Sequence, residues 1–253
     1  FTCGGNEKMA GFRVYDTFPK PANTEEDQLV VAFDRETARL KGVAIGERLG
    51  AIRTGCLGGY AIQRLVSARK IETMAIIGTG LQAETQLEAI SAVREIGLVK
   101  IFSRNAKNRQ AFAKRASEKL GLQVFASESA KDAVADADVV VLATNSCEPV
   151  IQTDWIKGGA HVTTVGPKFV DRHEMPLDII ERAKLIVSDS PQQILGQGEN
   201  HMFHGNGANI QHLGASHYAL GEGDVTLFLS AGLSGTEVVA LSAAIDYLEN
   251  HGR

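Results

Sequence analysis

The stretch Glu72–Ala89, ETMAIIGTGLQAETQLEA, decides the fold. Met74–Ile77 is short and wholly apolar, the composition of a parallel strand buried on both faces. Gly78 permits a tight turn, and Gly80 lets a phosphate approach the backbone with no Cβ in the way. Ala83, Leu87 and Ile90 then recur at helical spacing, with Ala83 in the small-residue place of GxGxxG/A. A helix starting here turns free N–H groups and a partial positive charge toward a pyrophosphate, worth ~0.3–1 kcal/mol for the dipole. A bare GxGxxA is weak; the strand–turn–helix setting makes it a dinucleotide signal. The alternative is an ordinary βα turn whose glycines serve close packing.

The alternation continues outward. Strands are predicted at 74–77, 99–102, 122–125, 138–143, 161–165 and 184–187, with helices at 81–96, 106–120 and 129–136. Such alternation means a parallel sheet with helices on both faces, a Rossmann-type doubly wound α/β domain over about 70–190. Residues 1–50 lack it. Phe12–Phe18, Gln28–Phe33 and Leu40–Ile45 read as antiparallel strands, with a polar loop before Gln28 and a turn at Asp34–Thr37. From Ala51 a helix is expected, with Leu57, Tyr60, Ala61 and Leu65 on one face. Residues 191–222 carry little periodic signal. Gly232–Asn250 reads as one long helix with a stripe of Val238, Leu241, Ile245 and Leu248, packing back on the N-terminal strands. The expected division is a substrate/dimerisation domain of 1–55 and 223–253, and a cofactor domain of 56–222.

Bulk properties exclude several classes. The chain has 253 residues and a net charge of −4, without a basic run, which argues against nucleic-acid binding. No stretch reaches the ~20 apolar residues that span a bilayer, and no signal peptide is evident. Cys3, Cys56 and Cys147 are odd in number and lack CxxC spacing, which fits a reducing cytoplasm. A start at Phe1 rather than methionine suggests a longer polypeptide. His201, His204, His212 and His217 lie in a Gly/Asn-rich segment, but no Cys or Glu spacing completes a metal site, so a flexible loop near the cleft is expected.

Several segments, taken in order, resemble the ornithine cyclodeaminase/mu-crystallin family of NAD(P)-dependent proteins. They are Arg53-Thr54-Gly55, Gly78–Ala83 as GxGxQA, Leu142–Thr144, Trp155–His161, Val165-Gly166 and Val225–Leu233. The resemblance runs from about Gly11 to Asp246, and implies a Rossmann domain plus a smaller β-rich domain that binds substrate and dimerises. Family members extend further at the N-terminus. By the resemblance, Leu81 and Gln82 lie along the pyrophosphate, Thr144 ends a strand beside the cofactor, and Val165, Gly166 and Ser230 flank the nicotinamide. Ala231 joins the substrate contacts.

The second Rossmann strand ends in Ser103-Arg104-Asn105, with Ser103 where cyclodeaminases resemble one another in carrying Asp. A carboxylate there would bond the ribose 2′-OH of NAD, whereas an arginine forks onto the 2′-phosphate of NADP. NADP(H) is therefore expected over NAD(H), with a merely solvated Arg104 as the alternative. Arg53 matches the family arginine that holds a substrate α-carboxylate. Arg13 stands where the family has lysine; it is able to bind carboxylate but is a poor proton donor.

After Val165-Gly166 the cyclodeaminase pattern places a catalytic aspartate, and this chain has Lys168, with Asp171 three residues on. A lysine repels the terminal ammonium of ornithine, but suits carboxylate binding or, at a depressed pKa, protonation of an imine nitrogen. The expected reaction is metal-free hydride transfer between a nicotinamide and the α-carbon of an amino acid, its imine or a cyclic ketimine. Ornithine cyclodeamination is the runner-up, and a non-catalytic NADPH-binding protein of the mu-crystallin type is the rival from another class.

Overall fold

The computed structural model describes residues 1–15, 28–204, 209–215, 217–233 and 235–252. In chain order the elements are β1 (Thr2–Gly5), β2 (Met9–Val14), β3 (Leu29–Asp34), β4 (Leu40–Ile45), α1 (Arg48–Leu65), β5 (Lys70–Ile77), α2 (Leu81–Val93), β6 (Glu95–Phe102), α3 (Ala106–Leu120) and β7 (Val124–Ala126). There follow α4 (Ala130–Val134), β8 (Val139–Leu142), β9 (His161–Thr164), β10 (Lys168–Phe169), β11 (Arg172–His173), α5 (Ile179–Arg182), β12 (Ala183–Ser188), α6 (Pro191–Leu195), β13 (Ile210–His212), β14 (Val225–Leu229) and α7 (Thr236–His251). They form two compact units, Phe1–Arg53 with Gly232–Arg253, and Thr54–Ala231.

The smaller unit is an antiparallel meander, β1-β2-β3-β4, with α7 against one face. Its core is Met9, Val30, Ala32, Val238 and Leu241. The period of two sends Phe33, and its neighbours Leu40, Val43 and Ile45 on β4, to the opposite face, where Ile45 is 77% exposed. Asp34 closes the β3–β4 turn by accepting from the backbone N–H groups of Glu36 and Thr37. β1 had no sequence signal that singled it out. The expected strand end at 16–18 and the polar loop of 21–27 lie outside the described residues.

The larger unit holds an eight-stranded sheet in the order β13-β12-β14-β9-β8-β5-β6-β7, parallel throughout. β8, β9 and β14 are buried along their whole length, as strands covered on both faces must be. Strand order reverses between β5 and β8, so the turn after β5 opens at a switch point. Two expectations are corrected. β14 belongs to this sheet and not with α7, because Val-Thr-Leu-Phe-Leu is a buried central strand; the boundary moves from 223 to Gly232. On α1, Tyr60 is exposed, and Ile62 is buried with Ala61 and Leu65. The helix is glycine-rich there, so its tight face is set by small residues and not by bulk.

That face lies against α2. A Cβ on Gly55 would stand 2.4 Å from the carbonyl oxygen of Thr85, and the Gln86 amide donates to the Thr54 carbonyl at 3.0 Å. Gly55→Ala is therefore expected to cost about 1–3 kcal/mol as overpacking. Gly121→Ala, at a left-handed helix end with no atom within 4 Å, should cost only about 1 kcal/mol. Urea midpoints check this; equal effects would contradict close α1–α2 packing.

Candidate functional site

In the larger unit the site is built at the carboxyl ends of the parallel strands. Gly78 has φ +121°, and a Cβ on it would fall 2.1 Å from the carbonyl oxygen of Ala143 after β8. The fold itself needs that glycine. Gly80 differs: nothing lies within 4 Å of the position its Cβ would take, so the protein's own packing makes no demand for glycine there. It is also the N-cap of α2 without a side-chain cap, so the first N–H groups of the helix are free to meet an anion. Leu81 and Gln82 follow, half-buried, and the Gln82 Oε1 is buried without a partner among the described residues. Open space beside Gly80 and an uncapped helix start fit a dinucleotide pyrophosphate.

At the end of β6, Ser103 is half-buried and its hydroxyl donates to the Asn105 carbonyl. The Asn105 side chain caps α3 by accepting from the Asn108 N–H at 3.2 Å. Arg104 is exposed and makes no ion pair among the described residues. Arg109, which carried no sequence signal, braces the turn from below: it donates to the Ser103 carbonyl at 3.2 Å and pairs with Glu128 at 3.1 Å.

Glu174 is the residue that sequence reasoning missed. It is fully buried, and its carboxylate accepts from the Thr144 N–H at 2.7 Å, the Thr144 hydroxyl at 2.8 Å, the Thr164 hydroxyl at 2.7 Å and the Gly166 N–H at 2.6 Å. Glu174 thus ties the ends of β8 and β9, and the Thr144 hydroxyl also accepts from the Ser146 N–H. A Cβ on Gly166 would fall 2.3 Å from the Thr144 carbonyl oxygen, which explains the glycine after Val165. A glutamate in a loop has no periodicity to announce it.

A recess of about 200 Å³ opens beside this loop, lined by Val165, Gly166, Lys168, Phe169, His201, Ser230 and Ala231 among others. Lys168 is buried at 8% exposure, and its Nζ donates to the Gly166 carbonyl at 2.7 Å. Burial pushes its pKa down to about 8, against the upward pull of the Glu174 and Asp189 carboxylates. Asp189, buried at the end of β12, accepts from the Ala231 N–H at 2.6 Å, and the Ser230 N–H donates to the Thr164 carbonyl at 3.1 Å. Asp171 does not join them. It is exposed at the tip of the β10–β11 hairpin and lines a separate depression with Val170 and Arg172, because a two-residue turn points its side chain outward. His201 is likewise no loop residue: it is buried, and pairs across a bridge with Phe169.

The smaller unit carries the two other cations. Arg13 donates to Glu237 Oε1 at 2.6 Å and to Gln28 at 2.6 Å, and Arg53 donates to the same Glu237 oxygen at 2.5 Å. Two guanidinium groups, half-buried Arg13 and buried Arg53, on one carboxylate leave a net positive charge, and the Nε and Nη1 atoms of Arg53 are buried without partners among the described residues. Glu237, from α7, was not foreseen, because it lies 184 residues from Arg53.

A Gly-x-Gly turn at the switch point of a doubly wound parallel sheet defines the Rossmann class of α/β proteins. Within it, the chain belongs to the ornithine cyclodeaminase/mu-crystallin family, whose profile matches residues 2–251. It is 33% identical to a Bacillus cereus Δ1-pyrroline-2-carboxylate reductase over 167 residues, 66% of this chain and 51% of the relative. The chain thus spans about half the length of that relative. It superposes with a TM-score of 0.80 on Thermococcus litoralis Δ1-pyrroline-2-carboxylate reductase, solved with NADH and L-proline, at 25% identity over 99% of this chain and 86% of that one. An archaeal alanine dehydrogenase dimer with bound NAD shares the fold, with a TM-score of 0.83 at 22% identity over 99% of this chain and 82% of that one. No helix among the described residues is long and apolar enough to cross a membrane.

Glu174→Ala strands four donors, on Thr144, Thr164 and Gly166, and is expected to lower stability by about 3–5 kcal/mol. Glu174→Gln, whose NH2 faces N–H and O–H groups, should cost less but still more than about 1 kcal/mol. Guanidinium denaturation checks both; loss below 1 kcal/mol for the alanine variant would remove Glu174 as the organiser of the loop.

Proposed function

We propose that this chain is an NADP(H)-preferring oxidoreductase acting on the α-carbon of a small amino acid, its imine or a cyclic ketimine. The observation that carries this is Lys168, a buried cation with a lowered pKa in a recess at the carboxyl ends of β9 and β14. The nicotinamide, when bound, supplies the hydride for the α-carbon of a C=N bond. Lys168 holds at Nζ the proton that the imine nitrogen gains, and takes it back when the reaction runs toward oxidation. Val165, Gly166 and Ser230 shape the wall beside the nicotinamide, and Ala231 the substrate side. Gly78, Gly80, Leu81 and Gln82 hold the pyrophosphate; Ser103, Arg104 and Asn105 hold the 2′-phosphate, with Thr144 keeping its strand end in place. In the smaller unit, Arg53 and Arg13 stand at the positions where the family carries cations for a substrate carboxylate. Asp171 at its hairpin tip is no longer a candidate proton donor.

The reductases among the relatives support this choice over ornithine cyclodeamination. The apolar face of the four-stranded sheet, with Phe33, Leu40, Val43 and Ile45 exposed, supports a homodimer. Free Cys3, Cys56 and Cys147, all exposed, support a reducing cytoplasm.

The pH dependence has a definite sign. Lys168 is protonated below about 8, so kcat/KM for imine reduction should fall as pH rises through that value, while amine oxidation should rise. Lys168→Met should lower both by roughly 10²-fold or more and flatten the profile near pH 8. Following NADPH absorbance with Δ1-pyrroline-2-carboxylate, and with pyruvate plus methylamine, checks this. Ammonia release from ornithine without imine reduction would favour the cyclodeaminase, and no turnover with NADPH still bound would favour a binding protein.

Cofactor choice rests on Arg104. NADPH should bind at least about tenfold tighter than NADH, and Arg104→Ala should remove that advantage while sparing NADH. Equal or tighter NADH binding to the unaltered protein, by fluorescence titration, would overturn the preference.

A further inference from the structure

We propose that His201 is a substrate contact whose Nε2–H donates a hydrogen bond to an oxygen that the substrate carries beyond its α-carboxylate. The inference rests on the reading of the Lys168 recess as the imine-reducing site.

The backbone fixes His201. The Met202 N–H donates to the Lys168 carbonyl and the Val170 N–H to the Asn200 carbonyl, both at 2.9 Å, so residues 200–202 pair with β10. The ring, 3% exposed, meets Phe203 edge-on with centroids 5.7 Å apart. The tautomer follows from one bond: Nδ1 accepts from the Phe203 N–H at 3.2 Å, which places the proton of the neutral ring on Nε2. Burial and the nearby Lys168 charge push the imidazole pKa down to about 4, so the ring is a neutral donor at working pH.

Nε2 is buried and has no hydrogen-bond partner among the described residues. A buried N–H left unpaired is costly, and it is tolerated best where a ligand completes it. His201 lines the same recess as Lys168, Ser230 and Ala231, where Ile194 and Phe169 supply apolar wall. The α-nitrogen takes its proton from Lys168, which leaves the Nε2–H for a second polar group. A neutral donor selects a hydroxyl, carbonyl or carboxylate oxygen on the side chain or ring, and discriminates against a methyl group of the same size.

The test uses two nearly isosteric imines, formed from methylamine with 3-hydroxypyruvate and with 2-oxobutanoate, which differ by an oxygen in place of a methyl group. The unaltered protein should reduce the hydroxylated imine with kcat/KM about tenfold or more higher. His201→Leu should lower that value about tenfold, mainly through KM, and leave the aliphatic imine within about twofold. His201→Gln, which keeps a donor, should restore part of the preference. NADPH affinity should be unchanged in both variants. An equal loss on both imines, or no preference in the unaltered protein, overturns the proposal. A parallel loss in NADPH affinity gives the donor to the cofactor and also overturns it. Failure to reduce any imine, cyclic ones included, brings down the parent reading as well, whereas reduction without discrimination brings down this one alone.

Discussion

The carboxylate of Glu174 is the constraint on which the larger unit's site depends. Parallel strands end together, and their ends leave N–H and hydroxyl groups that neither sheet nor helix satisfies. One buried side chain accepts from four of them, on Thr144, Thr164 and Gly166. This ties the exit of β8 to the exit of β9, and so sets where Val165, Gly166 and Lys168 stand. Because the donors include two backbone N–H groups, the loop path itself is fixed, not only the side chains. A rigid path holds the buried Lys168 in one position.

The two units treat buried charge in opposite ways. In the smaller one, Arg13 and Arg53 share a single carboxylate, so cationic charge remains for an anion. In the larger one, Lys168 feels two carboxylates, Glu174 and Asp189, yet its pKa still falls, because loss of hydration outweighs both. A cation that keeps its charge suits holding a carboxylate. One that gives up its proton near neutral pH suits chemistry at nitrogen. Arginine stands at the first kind of place and lysine at the second, in keeping with their intrinsic acidities.

Much of the fold was legible because its signals are local. The Gly78–Gly80 turn, the apolar strands and the helix of 106–120 follow from periodicity and glycine chemistry over a few residues. The Asp34 turn and the Asn105 cap are local in the same sense. Legibility failed where bulk and packing part company. Tyr60 was expected inside and lies outside, since α1 presents glycines to α2 and has no room for a ring there. The placement of Val225–Leu229 failed for a related reason: an all-apolar strand shows that it is buried, but not in which sheet. His201 lies in a segment without period that reads as a loop, and only its pairing with β10 buries it.

What the sequence determined by itself is a doubly wound unit with a Gly-x-Gly turn at its switch point, a smaller antiparallel sheet, and a short roster of cations, Arg13, Arg53, Arg104 and Lys168. These depend on residue type and on neighbours within one or two turns. What tertiary structure decided is which of those groups are buried and what they face. Glu237 reaches Arg53 from 184 residues away. Glu174 gathers strand ends that are sequentially remote, and Asp171, three residues past Lys168, is carried out of the recess at the tip of the same hairpin whose first strand keeps Lys168 in. Burial and partner geometry set the charge and proton affinity of a side chain, and both are properties of the packed chain.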